Sequence, residues 1–436
     1  MNQIQLDANE MKSFMEHMIS NNRHIQSTGK TPVSTEIIGD SGLGKTSIAL
    51  QLAGDLNLNF VKLNLAQIEE LGDLVGFPVR QFQLTKGGAT PAAVPAAGPK
   101  YKFVKKIDAE GKTVMTKVPV ENPIQTSTPT SSDTLWADEN ALDFYTKQGY
   151  SFTGKNRMSY CPPEWIADKT GGGILILDDW NRADIRFIQA VMELVDRQEY
   201  ISWKLPKDWH IVLTANPDNG EYLVNSIDVA QRTRFVSTVL KWSHERWAEW
   251  AEQNGVDGRC INFVLSHPEI VGENKGVNPR SLTTFFNSIS SFQNFNDKLP
   301  MIQMVGEGSV GPEVTTLFTG FIKNKLDKLI TPKEMLLREG TESVMKELKE
   351  CMHDGTDYRA DIASILTTRL INYAIHYSQG NSITPEIIQR IQALIKTPDV
   401  FTDDLKYVIV KKILNGNKQK FQKLVSDPTV QDLATK

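Results

Sequence analysis

One stretch of eight residues carries the clearest chemistry in this chain. Gly39-Asp40-Ser41-Gly42-Leu43-Gly44-Lys45-Thr46 matches the pattern GxxxxGK[ST], and Ser47 follows it. Glycines at those spacings let backbone N–H groups curl around phosphate oxygens, and the helix that follows points its positive end at them. Lys45 is placed to neutralise β- and γ-phosphates, and the Thr46 hydroxyl is a hard oxygen ligand for Mg²⁺. The residues 39–47 therefore predict a site for a nucleoside triphosphate with Mg²⁺. ATP is the expected nucleotide, although no motif reads the purine and GTP stays open.

A hydrolytic site also needs carboxylates at the end of a buried strand. Ile174-Leu175-Ile176-Leu177-Asp178-Asp179 supplies them. Asp178 is placed to hold the Mg²⁺ shell. Asp179 is placed to orient and deprotonate the attacking water, a step worth typically about 10²–10⁴ in rate. A third apolar run, His210-Ile211-Val212-Leu213-Thr214-Ala215-Asn216, ends in Thr214 and Asn216. A side-chain amide at such a strand end can position the lytic water.

These loops must be carried by strands that alternate with helices. STEII (34–38), LNFVKLN (58–64), ILIL (174–177), HIVLTAN (210–216) and FVSTVL (235–240) read as strands. Apolar positions at helical spacing mark 8–27, the stretch after Thr46, and 185–195. That alternation predicts an α/β fold with a mainly parallel sheet covered on both faces. Residues 79–160 break the pattern and read as an insertion. It holds a Gly/Pro/Ala tract (87–99), a Thr/Ser/Pro tract (126–132) and, between them, YKFVKKI and KTVMTKV around the turn residues Asp108-Ala109-Glu110-Gly111. We read a basic hairpin at 100–118 on flexible stalks. After Leu240 the strands stop and helical patterns dominate. The expected domains are an αβ core over 1–240 with its insertion, a helical lid over 241–298, and a helical region over 299–436.

Bulk properties narrow the function further. The chain has 436 residues and a net charge of −4, which gives no global pull toward nucleic acid or membrane. No secretory signal and no membrane-spanning apolar run are evident. Cys161, Cys260 and Cys351 lie far apart, and the seven histidines show no ligand spacing, so neither disulfides nor zinc are expected. A reducing cytosol fits this usage.

In motif order the chain resembles the AAA+ ATPases, most closely their MoxR-like branch. The matching stretches are the phosphate loop, Asp73-Leu74-Val75-Gly76, LILDDWNRAD (175–184), LTANP (213–217), AQRTRF (230–235) and NPRSL (278–282). They cover about residues 30–295. By position, the resemblance implies that Asn216 is sensor 1 and Arg234 the arginine finger, which reaches the neighbouring subunit's γ-phosphate. It makes Arg280 sensor 2 in the lid. Arginine suits both tasks because its fork pairs with phosphate oxygens and its charge does not titrate. Three departures stand out. Asp179 replaces the usual glutamate, Thr233 stands where aspartate is usual with Arg232 as a second candidate finger, and the 79–160 insertion is long.

The resemblance implies a ring, most often a hexamer, with chaperone activity that remodels or activates a partner protein, in this branch often one with a von Willebrand factor A domain. The hairpin lysines Lys100, Lys102, Lys105, Lys106, Lys112 and Lys117, with Tyr101 and Phe103 among them, make nucleic acid another candidate partner. Two alternatives remain beside the remodelling ATPase: a nucleic-acid-directed motor of replication, packaging or restriction type, and a nucleotide-gated scaffold that barely hydrolyses.

Overall fold

The computed structural model describes residues 4–86, 101–107, 113–119, 133–272, 276–324, 326–355 and 357–435. The chain forms two compact units. The first holds residues 1–67, 170–197 and 206–436, and the second holds 68–169 with 198–205.

The first unit is built on a parallel sheet of β1 (Gln5–Leu6), β2 (Ser34–Ile38), β3 (Asn59–Asn64), β4 (Gly173–Asp178), β5 (Trp209–Ala215) and β6 (Phe235–Leu240). Their spatial order is β1-β6-β2-β5-β4-β3. Every residue of β4 and β5 is buried, as the unbroken apolar runs require of strands covered on both faces. The order sets β5 between β2 and β4. The phosphate loop after β2 and the carboxylates at the end of β4 therefore flank the strand that leads to Asn216. The two-residue β1 is too short for any periodicity to announce.

Helices α1 (Ala8–Ser27) and α2 (Lys45–Asp55) close one face. Met11, Met15 and Ile19 of α1 meet Ile48, Ala49 and Leu52 of α2 and Ile174, Ile176 and Val212 of the sheet. The alternate residues Leu175 and Leu177 point to the other face. On that side α3 (Ile185–Arg197) buries Phe187, Ile188, Val191 and Val195, and the Val195 carbonyl accepts a 2.8 Å hydrogen bond from Ser34 Oγ of β2. The core is thus the α/β parallel sheet that the strand–helix alternation predicts, and a helical lid and helical C-terminal region follow it.

The helical half has two apolar cores. α4 (His244–Gln253), α5 (Gly258–Ser266), α6 (Pro279–Ile289), α7 (Leu299–Ser309) and α8 (Gly311–Lys323) share the first, which runs from Trp247 to Ile322. The expected boundary after residue 298 falls inside it. Phe318 of α8 packs edge-on against Phe263 of α5 at 4.9 Å and Phe285 of α6 at 5.1 Å, so α7 and α8 complete the lid's core. α9 (Pro332–Leu337), α10 (Thr341–Met352), α11 (Ala360–Gly380), α12 (Pro385–Lys396) and α13 (Asp403–Gly416) build the second, from Ile330 to Val430.

A buried ion pair joins the two. Arg369 of α11 grips Glu252 of α4 through Nε and Nη2, both at 3.1 Å, and donates from Nη1 to Asn262 Oδ1 at 3.0 Å. The two side chains are only 4% and 11% exposed. Arg369→Ala is expected to destabilise the protein by about 3–5 kcal/mol, because it leaves a buried carboxylate alone. Replacing the pair together, by Arg369→Met with Glu252→Leu, should recover most of that loss, measured by urea unfolding of the full chain.

The second unit is antiparallel. Strand Pro78–Lys86 lies between Asp133–Asp138 and Tyr150–Tyr160. The strands of the expected hairpin, Tyr101–Ile107 and Thr113–Pro119, pair antiparallel with Ile107 opposite Thr113. The turn residues 108–111 and the two low-complexity tracts lie outside the described residues. What the sequence read as a stalked hairpin thus includes a three-stranded sheet, and the unit's bounds are wider than 79–160. Asp73-Leu74-Val75-Gly76 also belongs here. The indole of Trp165 donates to the Asp73 and Leu74 carbonyls, both at 3.2 Å, and that of Trp203 donates to the Val75 carbonyl at 2.9 Å.

Candidate nucleotide site

The loop between β2 and α2 depends on backbone that favours glycine. Gly42 and Gly44 have φ of +81° and +93°. A Cβ at Gly42 would also lie 2.6 Å from Asn278 Oδ1 and 3.0 Å from Arg280 Cβ. The first turn of lid helix α6 therefore rests against the phosphate loop, and Asn278 caps that helix by accepting from the Ser281 N–H at 3.0 Å. This contact sets the exposed Arg280 beside the loop.

Lys45 is the first residue of α2 and only 7% exposed. Its ammonium donates to the Gly39 carbonyl at 2.5 Å, the Asp40 carbonyl at 3.1 Å and Asn216 Oδ1 at 3.1 Å. Burial pulls its pKa down to about 8. Asp179, Asp178 and Asp40 oppose that pull, and the nearby Arg280 adds to it.

Asp178 accepts at Oδ1 from Thr46 Oγ1 at 2.9 Å and from Thr214 Oγ1 at 2.5 Å. Its Oδ2 is paired with Lys62 of β3 at 2.7 Å. Burial would raise this carboxyl, but the bonds from Lys62, Thr214 and Thr46 outweigh it and hold the acid below its usual range. Asp179 has φ of +52°, in the left-handed region that aspartate adopts more readily than most residues with a side chain. Its N–H donates to Thr214 Oγ1 at 3.1 Å, and its Oδ1 accepts from Asn216 Nδ2 at 3.1 Å. Asn216 thus spans the site, with its carbonyl on Lys45 and its amide on Asp179.

Among the expected site residues, Lys45, Thr46, Asp178, Asp179 and Asn216 are brought into one hydrogen-bonded cluster, with Gly39–Ser47 around it and Arg280 across the loop. Arg234 is not part of the cluster. It is exposed at the head of β6, as is Arg232 two residues before. Two participants escaped the sequence reading. Lys62 sits in the LNFVKLN strand with nothing to mark it, and the Tyr222 hydroxyl, which accepts from the Ser41 N–H at 3.2 Å, sits in an irregular loop.

Mg²⁺ fits this donor set. Thr46 and Asp178 present hard oxygens to one spot, and among the described residues no cluster of three or more His, Cys, Asp or Glu forms an all-protein cage. An ion shared between one carboxylate, one hydroxyl, phosphate oxygens and water is how Mg²⁺ is usually held.

A cavity of about 630 Å³ runs from Gly42, Gly44 and Ser47 to Trp242, Trp247 and Arg280. Its size suits a base and ribose. The indole nitrogens of Trp242 and Trp247 are buried there without an acceptor.

No family model and no curated protein matches the chain. Among solved structures it is similar to the Holliday junction branch migration motor RuvB of Thermotoga maritima, at 11% identity and a TM-score of 0.32 over 90% of this chain and 92% of that one. It is also similar to a candidate ATPase of Cytophaga hutchinsonii, at 13% identity and a TM-score of 0.28 over 87% and 80%. At these scores the likeness adds nothing to what the sheet order and the site already show. No helix among the described residues is long and apolar enough to cross a membrane.

The depressed Lys45 has opposite consequences for binding and stability. Triphosphate affinity should fall above pH 8, roughly fivefold between pH 8 and pH 9, as the free site loses its proton. Stability of the nucleotide-free protein should instead rise from pH 8 toward 10.5. There the unfolded lysine binds a proton that the folded one has shed. Isothermal calorimetry and thermal unfolding check the two signs, with Lys45→Met as the flat reference for unfolding.

Proposed function

We propose that this chain is an AAA+ ATPase of the MoxR-like kind. On this reading it hydrolyses ATP-Mg²⁺ between the subunits of a ring, most simply a hexamer, to remodel or activate a partner protein. One observation carries the proposal: Lys45, Thr46, Asp178, Asp179 and Asn216 form one hydrogen-bonded cluster at the ends of adjoining strands, while Arg234 stands exposed outside it. Leu223 and Val229, in the segment that leads to Arg234, are 92% and 78% exposed. Apolar side chains left in water beside a free arginine suit a subunit contact. The motif order adds the MoxR-like assignment and a von Willebrand A-domain protein as the expected kind of partner. Free Cys161, Cys260 and Cys351 suit a reducing cytosol.

In this mechanism the loop amides and Lys45 hold the triphosphate. Mg²⁺ between Thr46 and Asp178 would neutralise and orient its phosphate oxygens. Asp179, aimed by Asn216, takes the proton of the attacking water. Arg280 senses the nucleotide from the lid, and Arg234 of the neighbour meets the transition-state charge, an effect worth about 10³–10⁵. The Asn216 amide holds the shorter Asp179 in the position from which it acts.

A nucleic-acid-directed motor is the second reading, and the second unit favours it. On one face of its sheet, strands Pro78–Lys86 and Tyr150–Tyr160 bring Arg80 and Lys86 together with the exposed Phe152 and Met158, beside Asp133 of the third strand. Such a surface joins phosphate neutralisation to base stacking.

Lys45→Ala is expected to lose binding and turnover together. Asp179→Asn should keep binding and lose turnover by about 10²-fold or more. Arg234→Ala should cut turnover by about 10³-fold with binding intact. Unchanged turnover in Arg234→Ala would move the finger to Arg232, and in both variants would remove the ring. Native mass with and without ATP tests the oligomer directly. Tight ATP binding without turnover in the wild type would leave only the scaffold. Salt-sensitive stimulation by single-stranded DNA or RNA would select the motor.

A further inference from the structure

We infer that the turn at residues 179–183 is a relay that positions the arginine finger, with Trp180 and Asn181 joining a subunit's own catalytic acid to the Arg234 it presents to its neighbour. The inference rests on the ring reading above and adds the route by which one site is coupled to the next.

Three connections leave this turn. The first runs through Trp180, which is fully buried. Its indole N–H donates to Glu36 Oε1 of β2 at 2.9 Å, and Glu36 Oε2 accepts from Ser237 Oγ of β6 at 2.5 Å. Glu36 is 2% exposed, so water does not replace either bond. The Trp180 ring also meets Phe235 edge-on, with centroids 5.5 Å apart, and Phe235 directly follows Arg234.

The second connection is a reciprocal pair. Asn181 Nδ2 donates to the Asn216 carbonyl at 2.8 Å, and the Asn216 N–H donates to Asn181 Oδ1 at 3.2 Å. The third pins the segment between Asn216 and Arg234 near its middle. Asn225 donates from its N–H to the Asn181 carbonyl at 2.7 Å and from Nδ2 to the Ala183 carbonyl at 2.7 Å.

Both ends and the middle of the finger-bearing segment are therefore fastened to the turn that begins at Asp179. That turn starts from left-handed backbone at Asp179, where bonds to Thr214 and from Asn216 hold the residue. A change in those bonds during the ATPase cycle rotates the peptide into Trp180. Packed rings and saturated hydrogen bonds then pass the displacement to Phe235 and Arg234, because a close-packed interior transmits strain instead of absorbing it. Trp180, Asn181 and Glu36 touch no nucleotide in this scheme; they are positioning residues.

The test compares full-length wild type, Trp180→Phe and Asn225→Ala. Trp180→Phe keeps an aromatic ring and removes the indole donor, and Asn225→Ala cuts the loop tether at a half-buried position if the core variant fails to fold. ATP binding and native mass should match wild type in both. The Hill coefficient for ATP hydrolysis, above 1 in the wild type, should fall to about 1 in both variants. Turnover in rings doped with Arg234→Ala subunits should change from a curved to a linear dependence on their fraction. A Trp180 that only supports the fold would lower thermal stability and leave cooperativity intact. If Arg234→Ala abolishes turnover while both variants keep the wild-type Hill coefficient and doping curve, the relay is overturned and the ring stands. Should Arg234→Ala turn over normally, the relay to Arg234 is overturned, and if Arg232→Ala does so as well the ring reading itself is lost. A wild-type Hill coefficient of 1 also overturns the relay.

Discussion

A buried ammonium has to be surrounded by oxygen, and Lys45 sets that demand for the whole site. Its acceptors come from three places: the carbonyls of Gly39 and Asp40, which curl the loop, and Asn216 at the end of the adjoining strand. The loop can curl because Gly42 and Gly44 take positive φ. Asn216 can reach because β5 lies beside β2. Without phosphate, protein oxygens solvate the charge, and burial lowers its pKa. An incoming triphosphate would replace weak carbonyl partners with full negative charge, so the site is arranged to favour the ligand by what it otherwise lacks.

The same economy governs the acid side. Asp178 has both oxygens engaged, two hydroxyls on one and Lys62 on the other, so its charge stays balanced in the absence of metal. Asp179 is held by two bonds in left-handed backbone. Around this pair the lid is fastened twice. Asn278 and Arg280 lie on the phosphate loop, and Arg246 of α4 pairs with Asp7, the residue that caps α1, at 3.0 Å. The lid contacts both ends of the cavity that the nucleotide would fill, so closing it on a ligand changes those contacts together.

Beyond the lid, Arg369 carries the connection into the C-terminal helices through a bidentate, almost fully buried pair. An ion pair so placed contributes little net stability but strictly constrains geometry, since any slip leaves a charge unpaired. Lid and C-terminal region are therefore expected to move as one body. The second unit keeps its own antiparallel sheet and its own indole-to-carbonyl bonds.

Much of the site was legible in the sequence, for a physical reason. Phosphate loops, buried strand ends and the carboxylates after them are local devices: each needs a fixed residue type at a fixed spacing, so Gly39–Thr46, Asp178–Asp179 and Asn216 declare themselves in one dimension. The five longer strands of the parallel sheet did so too: the central β4 and β5, buried along their whole length, read as near-continuous apolar runs, and β2, β3 and β6 as shorter β-rich stretches between helical patterns. What the sequence left open were partners distant along the chain. Lys62 on Asp178, Trp180 on Glu36, Tyr222 on Ser41 and Arg369 on Glu252 are pairings between ordinary residues, and only the sheet order and helix packing bring them together. The lid's extent was hidden likewise. Phe318 looks like any apolar helix position until it meets Phe263 and Phe285. The sequence by itself determined which residue types stand at each strand end. The tertiary structure decided which strand ends are neighbours, and so which charges must be balanced against each other.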